Sequence, residues 1–359
     1  MANIISIGTA LPAYCNKQTE ILTFMQKAYK LNEAEARKLA FLYKQSEIQN
    51  RYSVLGDFSN NEVKSEFVTD TPKGPSVECR MRLFDKHAAA LSVASIKNCI
   101  EGFITPKEIT HLITVSCTGM SAPGLDLQVA EILQLKTNIF RTSVNFMGCY
   151  AAIHALKIAQ MISTTAPEAN VVVVCTELCT LHFQQQFSYD NAAASLLFAD
   201  GSAAVLVSNS LSSKTSLKLT SFYSEVAVKG KEEMSWQISN NGFLMKLSSY
   251  IPQLIHEDIS ALVSRALEQG NITKDQITHW CIHPGGKKIL EVIQSQLALE
   301  AEDLSCSRLV LAQYGNMSSP TILFVLKEMM AGLHGRAANI FGVAFGPGLT
   351  METFIASKN

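Results

Sequence analysis

The stretch Val144-Asn145-Phe146-Met147-Gly148-Cys149-Tyr150-Ala151-Ala152-Ile153-His154-Ala155-Leu156 sets a cysteine between a glycine turn and the first turn of an apolar helix. From 150 to 162 only His154, Lys157 and Gln160 are plainly polar, and their three-residue spacing leaves one narrow polar strip on an otherwise buried helix. Such a helix points its N-terminus inward. Free N–H groups and the positive dipole end at Gly148 and Cys149 are expected to favour negative sulfur and lower the thiol pKa. The competing reading is a buried cysteine that acts only as a small hydrophobe, so the choice rests on partners elsewhere in the chain.

The same pattern returns in the second part of the sequence. Ile109-Thr110-His111 opens an apolar run over 112–116, and Ile277-Thr278-His279 opens another over 280–283, 168 positions later. Asn170 begins Val171-Val172-Val173-Val174, and Asn339 begins Ile340-Phe341-Gly342-Val343, at an offset of 169. Gly148-Cys149 before a helix is matched by Gly315-Asn316 before a helix from about 320, at an offset of 167. The common offset predicts a duplicated α/β unit with halves 1–209 and 210–359, whose buried strands read as continuous apolar runs. Further strands are expected at 202–208, 217–227 and 350–356, and helices at 18–29, 85–101, 125–134, 250–268 and 286–297. Ser319-Pro320 reads as an N-cap and first helical residue, and Gly332 or Gly335 as a stop.

Composition narrows the function classes. With 359 residues, 47% hydrophobic and 17% charged, the chain has enough apolar side chains for a large interior, yet no apolar run approaches the roughly 18 residues of a membrane span. Met1 to Gly8 carries no basic n-region and reads as a buried strand, so no export signal is expected. Nine scattered cysteines without a CxxC pair suit reduced thiols in a cytoplasmic protein. Cys175 and Cys179 lack a matching ligand pair, so no metal is expected. A net charge of −1 offers no field for nucleic acid.

Two residues are candidate partners for Cys149. His283, in Cys281-Ile282-His283-Pro284-Gly285-Gly286, stands where an apolar strand ends; the alternative is a histidine packed at a turn. Asn316, in Gln313-Tyr314-Gly315-Asn316-Met317-Ser318-Ser319-Pro320, is by itself a turn residue or helix cap. Cys149 and Asn316 hold equivalent places in the two repeats, so a pseudo-twofold axis would bring both helix starts to one interface. An imidazolium beside a thiolate would form an ion pair that activates sulfur for attack on an activated acyl group, and an asparagine amide with a histidine N–H can hold an enolate or oxyanion. His87, His154, His256 and His334 fall in helical stretches and His111 and His279 at strand entrances, so these read as structural.

At these residues the chain resembles the type III polyketide synthases, the chalcone and stilbene synthase-like family. The likeness runs nearly end to end, through Gly148-Cys149, Leu197-Phe198-Ala199-Asp200-Gly201, His283-Pro284-Gly285-Gly286, Tyr314-Gly315-Asn316-Met317-Ser318-Ser319 and Phe345-Gly346-Pro347-Gly348-Leu349-Thr350-Met351-Glu352-Thr353. It implies a thiolase-like αβαβα fold of five layers, a homodimer, and acyl-CoA and malonyl-CoA as substrates, with no further cofactor. By that likeness Cys149 takes the acyl starter, while His283 and Asn316 bind the malonyl thioester and stabilise the enolate. The backbone amides of Cys149 and Ser318 would face the thioester oxyanion, Phe198 would stand at the cavity mouth, and Gly346 and Pro347 would shape its wall.

Departures from the plant members bear on substrate. Met245 stands where a second gatekeeping phenylalanine is expected, and Trp236 where a glycine lines the pocket for an aromatic starter. Cys117 replaces a threonine that belongs with Glu177 and Ser318 in a network affecting ring closure; a thiol is a weak donor. Ala122 takes the place of a methionine that crosses the dimer interface, and Ala344 that of the first glycine of the terminal loop. These changes are similar to bacterial members that extend fatty acyl starters into alkylpyrones or alkylresorcinols. Of the basic coenzyme patch only Arg51 stays, in Gln49-Asn50-Arg51; Lys287 and Lys288 would supply phosphate charge or be solvated helix-start lysines.

Rival readings have their own signatures. A β-ketoacyl carrier-protein synthase III would use the same residue types for one condensation; a thiolase would need a second cysteine in the loop Ala344 to Gly348. A papain-like protease would carry a Trp after the cysteine, and a binding scaffold an occluded Cys149.

Overall fold

The computed structural model describes residues 2–58, 67, 74–248, 250–333 and 336–358; His334 and Gly335 lie outside the described residues. The first half contains β1 (Asn3–Ala10), β2 (Tyr14–Lys17), α1 (Gln18–Ala28), α2 (Glu33–Gln45), β3 (Asn50–Ser53), α3 (Val77–Ile100), β4 (His111–Ser116), α4 (Leu125–Ile132), β5 (Phe140–Asn145), α5 (Ala151–Thr165), β6 (Asn170–Leu178), α6 (Tyr189–Leu197) and β7 (Asp200–Ser208). The second contains β8 (Leu217–Val226), β9 (Met234–Ser239), β10 (Gly242–Leu247), α7 (Ile251–Gln269), β11 (His279–Ile282), α8 (Lys287–Gln296), α9 (Ser305–Tyr314), α10 (Thr321–Gly332), β12 (Ala338–Gly346) and β13 (Thr350–Lys358).

The long strands run in the order β11-β12-β13-β8-β1-β7-β6-β4-β5. Within that order β4-β6-β7-β1 and β11-β12-β13-β8 repeat one another, each with one parallel pairing followed by two antiparallel ones. The two sets join edge to edge where Asn3 pairs with Lys218 and Ile4 with Leu217, with the Leu219 amide donating to Ala2 O at 3.0 Å. Alternation along the strands shows why helices cover both faces. Val171 and Val173 pack toward α5 and α10, while Val172 and Val174 pack toward α3. In the second half Ile340 and Ala344 share the α5–α10 core, whereas Phe341 and Val343 face α7. The layers are therefore α3, strands, α5 with α10, strands, and α7 with α8.

The central pair is apolar because strands lie on both sides of it. Ala151, Ala152, Ile153, Ala155, Leu156 and Ala159 of α5 and Ile322 to Leu326 of α10 are buried. The polar strip foreseen on α5 is used: Lys157 and His154 reach Glu352 of β13 at 3.1 and 3.7 Å. Two helix starts that differ from expectation are explained by their caps. The helix read from 85 starts at Val77, where the Ser76 hydroxyl caps the Cys79 amide, and the helix read from Pro320 starts at Thr321 with Pro320 as its cap.

Candidate active site

Three connections converge on one cavity of about 1070 Å³ lined by Cys149, His283, Asn316 and Ser318. Cys149 lies in the turn from β5 to α5, closed by Ala151 N–H donating to Gly148 O at 3.0 Å. Gly148 is required there on two counts. Its φ of +89° suits glycine, and a Cβ would run into the Pro347 ring. His283 continues β11, its amide donating to Val343 O at 2.9 Å; the ring is buried and neither nitrogen has a hydrogen-bond partner among the described residues. Asn316 follows Gly315, whose φ is +67°, at the end of α9. Its amide donates to Leu197 O at 2.9 Å, and its carbonyl accepts from Ala199 N–H at 2.9 Å.

The electrostatics differ from the helix-end expectation. Burial pushes the Cys149 thiol up to about 11 and the charge of Glu177 adds to this, while the Ser318 and Asn316 side chains pull it down. Burial holds the His283 imidazole down at about 3. Helix α5 begins at Ala151 with Tyr150 as its cap, directly after Cys149. The resting pair is thus a neutral thiol and a neutral imidazole. A neutral imidazole still has one N–H donor and one bare acceptor nitrogen, and here both are unspent.

The oxyanion expectation changes in detail. The Ser318 amide donates to Asn316 Oδ1 at 2.8 Å, which orients the carboxamide and leaves its Nδ2 with only a 3.4 Å approach to Gly285 O. The network around Glu177 also differs. The carboxylate is fully buried behind the cavity wall instead of lining it, and accepts from the Cys117 amide at 2.9 Å, Thr118 Oγ1 at 2.8 Å and Ser319 Oγ at 2.8 Å. Ser319 and Thr118 take the places foreseen for Ser318 and a residue-117 side chain, and the Cys117 sulfur instead accepts from the Gly148 amide at 3.0 Å. Burial raises the Glu177 carboxyl to about 7.

Phe198, Met245, Cys117, Trp236 and Pro347 line the cavity as expected. Gly346 does not; it is buried against Tyr150 and the Cys149 amide, where a Cβ would not fit. Trp236 and Met245 are directly paired across β9 and β10, and Trp236 Nε1 donates to Cys117 O at 2.7 Å. His182 is a wall residue that the sequence reading passed over. Its ring stacks on Phe243 at 4.1 Å, Nε2 donates to Thr118 O at 2.7 Å, and Nδ1 accepts from the Phe243 amide at 3.0 Å. Burial keeps it neutral, with a pKa of about 3. Its only sequence signal was position, five residues after Glu177.

Comparison with known proteins settles the family. Residues 1–210 match the family described as chalcone and stilbene synthases, N-terminal domain, and residues 218–358 match the corresponding C-terminal domain. The chain belongs to the chalcone and stilbene synthase family. The solved structure of PKS-I from the brown alga Ectocarpus siliculosus is similar at 28% identity and a TM-score of 0.92, over 99% of this chain and 98% of that one. The C-terminal type III polyketide synthase domain of Steely1, a type I/III hybrid from Dictyostelium, is similar at 26% identity and a TM-score of 0.88, over 99% of both chains. The protein is thus a type III polyketide synthase by family and thiolase-like by fold, an acyl-transferring enzyme whose family uses coenzyme A thioesters.

The expected coenzyme patch of this synthase is rearranged. Arg51 is buried, and its Nε and Nη1 donate inside the protein to Gln18 Oε1 at 2.9 Å and to the carbonyls of Ser195 and Phe198, so it presents no charge at the surface. Lys287 pairs with Glu47 at 3.1 Å. Lys288 lies exposed on the cavity rim. Among the described residues no helix is long and apolar enough to cross a membrane.

Proposed function

We propose that the synthase loads a fatty acyl group from coenzyme A onto Cys149, extends it by decarboxylative condensation with malonyl-CoA, and closes the chain to an alkylpyrone or alkylresorcinol. The observation that carries this reading is the convergence of Cys149, His283 and Asn316 on one large, mainly apolar cavity. In loading, the thiol proton passes to the bare nitrogen of His283 as sulfur attacks the thioester carbonyl. Coenzyme A leaves as its thiol after taking that proton back. Malonyl-CoA then places its thioester oxygen against His283 N–H and Asn316 Nδ2. The bond to the carboxylate breaks, carbon dioxide departs, and the electron pair enters an enolate held by those two donors. The enolate carbon attacks the acyl-cysteine, a carbon–carbon bond forms as the acyl–sulfur bond breaks, and Cys149 leaves as the thiolate, free to take the extended chain from its coenzyme A thioester in the next round.

A neutral His283 suits this work, because it donates to the enolate oxygen without first giving up a proton. The fatty acyl assignment is supported by the wall. Trp236 lines the cavity where the resembling plant enzymes have a glycine for an aromatic starter, and Ile21, Met25, Phe41 and Phe58 add apolar surface to the same cavity. Lys288 on the rim is the cation placed for coenzyme phosphates, with Lys287 sharing the task if Glu47 yields it. A homodimer is supported by β5, an open sheet edge on which Phe140 is 69% exposed, and by Met161 of α5 at 62%. Nine unpaired cysteines are consistent with a cytoplasmic setting.

The test is incubation with malonyl-CoA and acyl-CoA starters from acetyl to palmitoyl, plus coumaroyl, with products identified by mass spectrometry. Cyclised tri- or tetraketides from medium or long acyl chains are expected. Coumaroyl products would overturn the reading of Trp236 and Met245. A single linear β-keto product, made only from a carrier-protein-bound malonyl group, would favour a β-ketoacyl synthase III-like reaction.

A further inference from the structure

Arg51 of β3 is 4% exposed, and the mechanism gives it no task. Its Nε and Nη1 are turned to Gln18 and the last turn of α6, while Nη2 is buried with no hydrogen-bond partner among the described residues. The closing carbonyls of a helix have no partners within it, and here each finds one. Ser195 O and Phe198 O accept from Arg51 Nη1, Leu196 O accepts from Gln18 Nε2 at 3.0 Å, and Leu197 O accepts from the Asn316 amide at 2.9 Å. Gln18 Oε1 in turn accepts from Arg51 Nε at 2.9 Å, so the two side chains form one clamp. The arginine stem packs on the other strand of the site, since a Cβ at Gly315 would lie 2.9 Å from Arg51 Cγ. A single side chain thereby touches both segments that meet where Phe198 bridges Asn316.

We propose that Arg51, locked by Gln18, is a positioning residue that sets where Asn316 presents its carboxamide, and does so without contact with substrate. This rests on the decarboxylation role given to Asn316 above. A cation at a helix C-terminus is favourable in its own right, but charge alone does not make the clamp. Lysine offers a point charge and cannot hold Gln18 and two carbonyls in one plane.

Malonyl-CoA decarboxylation by Arg51→Lys and by the milder Gln18→Leu decides the matter, with kcat and KM measured at low and high salt. For Arg51→Lys, kcat should fall on the order of 10- to 100-fold, the loss expected from misplacing a reacting group by about 1 Å. KM and its salt dependence should stay within about twofold of wild type, and Cys149 alkylation should be retained. Gln18→Leu should show a smaller fall of the same kind, and it decides the question if the lysine variant does not fold. A raised KM with kcat intact and salt dependence lost would make Arg51 a phosphate ligand and overturn the proposal, as would unchanged kinetics in both variants. If the wild type itself fails to decarboxylate malonyl-CoA, the reaction reading is at fault. The clamp is then judged by amide exchange at Ala199 and Asn316, which quickens in Gln18→Leu if it holds that bridge and is unchanged if it does not.

Discussion

Replacing Glu177 with glutamine should make the synthase more stable at neutral and alkaline pH while leaving it unchanged in acid. The carboxyl is fully buried, and burial raises its pKa from 4.5 to about 7 against the pull of its hydrogen bonds. Because the folded pKa lies above the unfolded one, the folded protein binds more protons between the two values, and stability falls as pH rises through that window. At about 1.4 kcal/mol per pKa unit, the span from 4.5 to about 7 is worth roughly 3 kcal/mol. Glutamine has nearly the same shape and does not titrate. Its Oε1 can accept from the Cys117 amide and Thr118, and its Nε2 can donate to a rotated Ser319 hydroxyl. Urea unfolding of both proteins at pH 4, 5, 6, 7 and 8 should give a stability difference that opens from near zero at pH 4 toward about 3 kcal/mol at pH 8. Asp200, raised by burial to about 6, titrates in the same window but is common to both proteins and cancels. Since the Glu177 charge also raises the Cys149 pKa, the iodoacetamide profile of Cys149 should move to lower pH in the variant. Parallel stability curves with an unmoved alkylation profile would refute the argument.

Three further outcomes follow from the roles assigned. Cys149→Ala should abolish condensation while malonyl-CoA decarboxylation persists, because His283 and Asn316 still hold the enolate; retained polyketide formation would remove the nucleophile assignment. Asn316→Ala should reduce decarboxylation by on the order of 100-fold, as loss of one oxyanion donor does, with starter loading on Cys149 much less affected, and equal losses in a radiolabel-loading assay and a carbon dioxide release assay would contradict its role. Ser318→Ala should raise the Cys149 pKa further by removing a hydroxyl that favours the thiolate, so half-maximal alkylation should shift to higher pH.

How far the sequence could be read depended on burial. Strands covered on both faces, such as 170–178 and 338–346, are apolar without interruption and were legible, as was the duplication that sets Asn316 opposite Cys149. Amphipathic elements such as 18–28 and 251–269 were legible too, but an exposed element with no apolar pattern was not. Strand β5, Phe-Arg-Thr-Ser-Val-Asn, is largely exposed and shows no apolar alternation, so nothing local distinguishes it from a loop. Helix α2 did carry a sign, the reciprocal Asn32 and Glu35 capping box, and that was overlooked. The site residues were legible where a glycine turn or a strand end announces them, as at Cys149, His283 and Asn316. His182 went unread, and Arg51 and Glu177 were named only from the family resemblance and with other tasks, because what they do is set by carbonyls and amides brought to them from distant segments.

The depth of the site accounts for the neutral resting pair and also for its use. A thiolate and an imidazolium would each lose hydration in this cavity, and Glu177 behind Cys149 further opposes negative sulfur. What remains are groups that develop charge only when a thioester is present to receive it. The Ser318 and Asn316 side chains already favour the thiolate, and the free nitrogen of His283 can take its proton. The Asn316 carboxamide is held by the Ser318 amide at its oxygen, so its N–H donors need not reorient when an enolate forms. The scaffold thus spends its own donors on fixing Asn316 and leaves His283 unbonded. The same two residues can then assist sulfur in loading and hold the enolate in condensation.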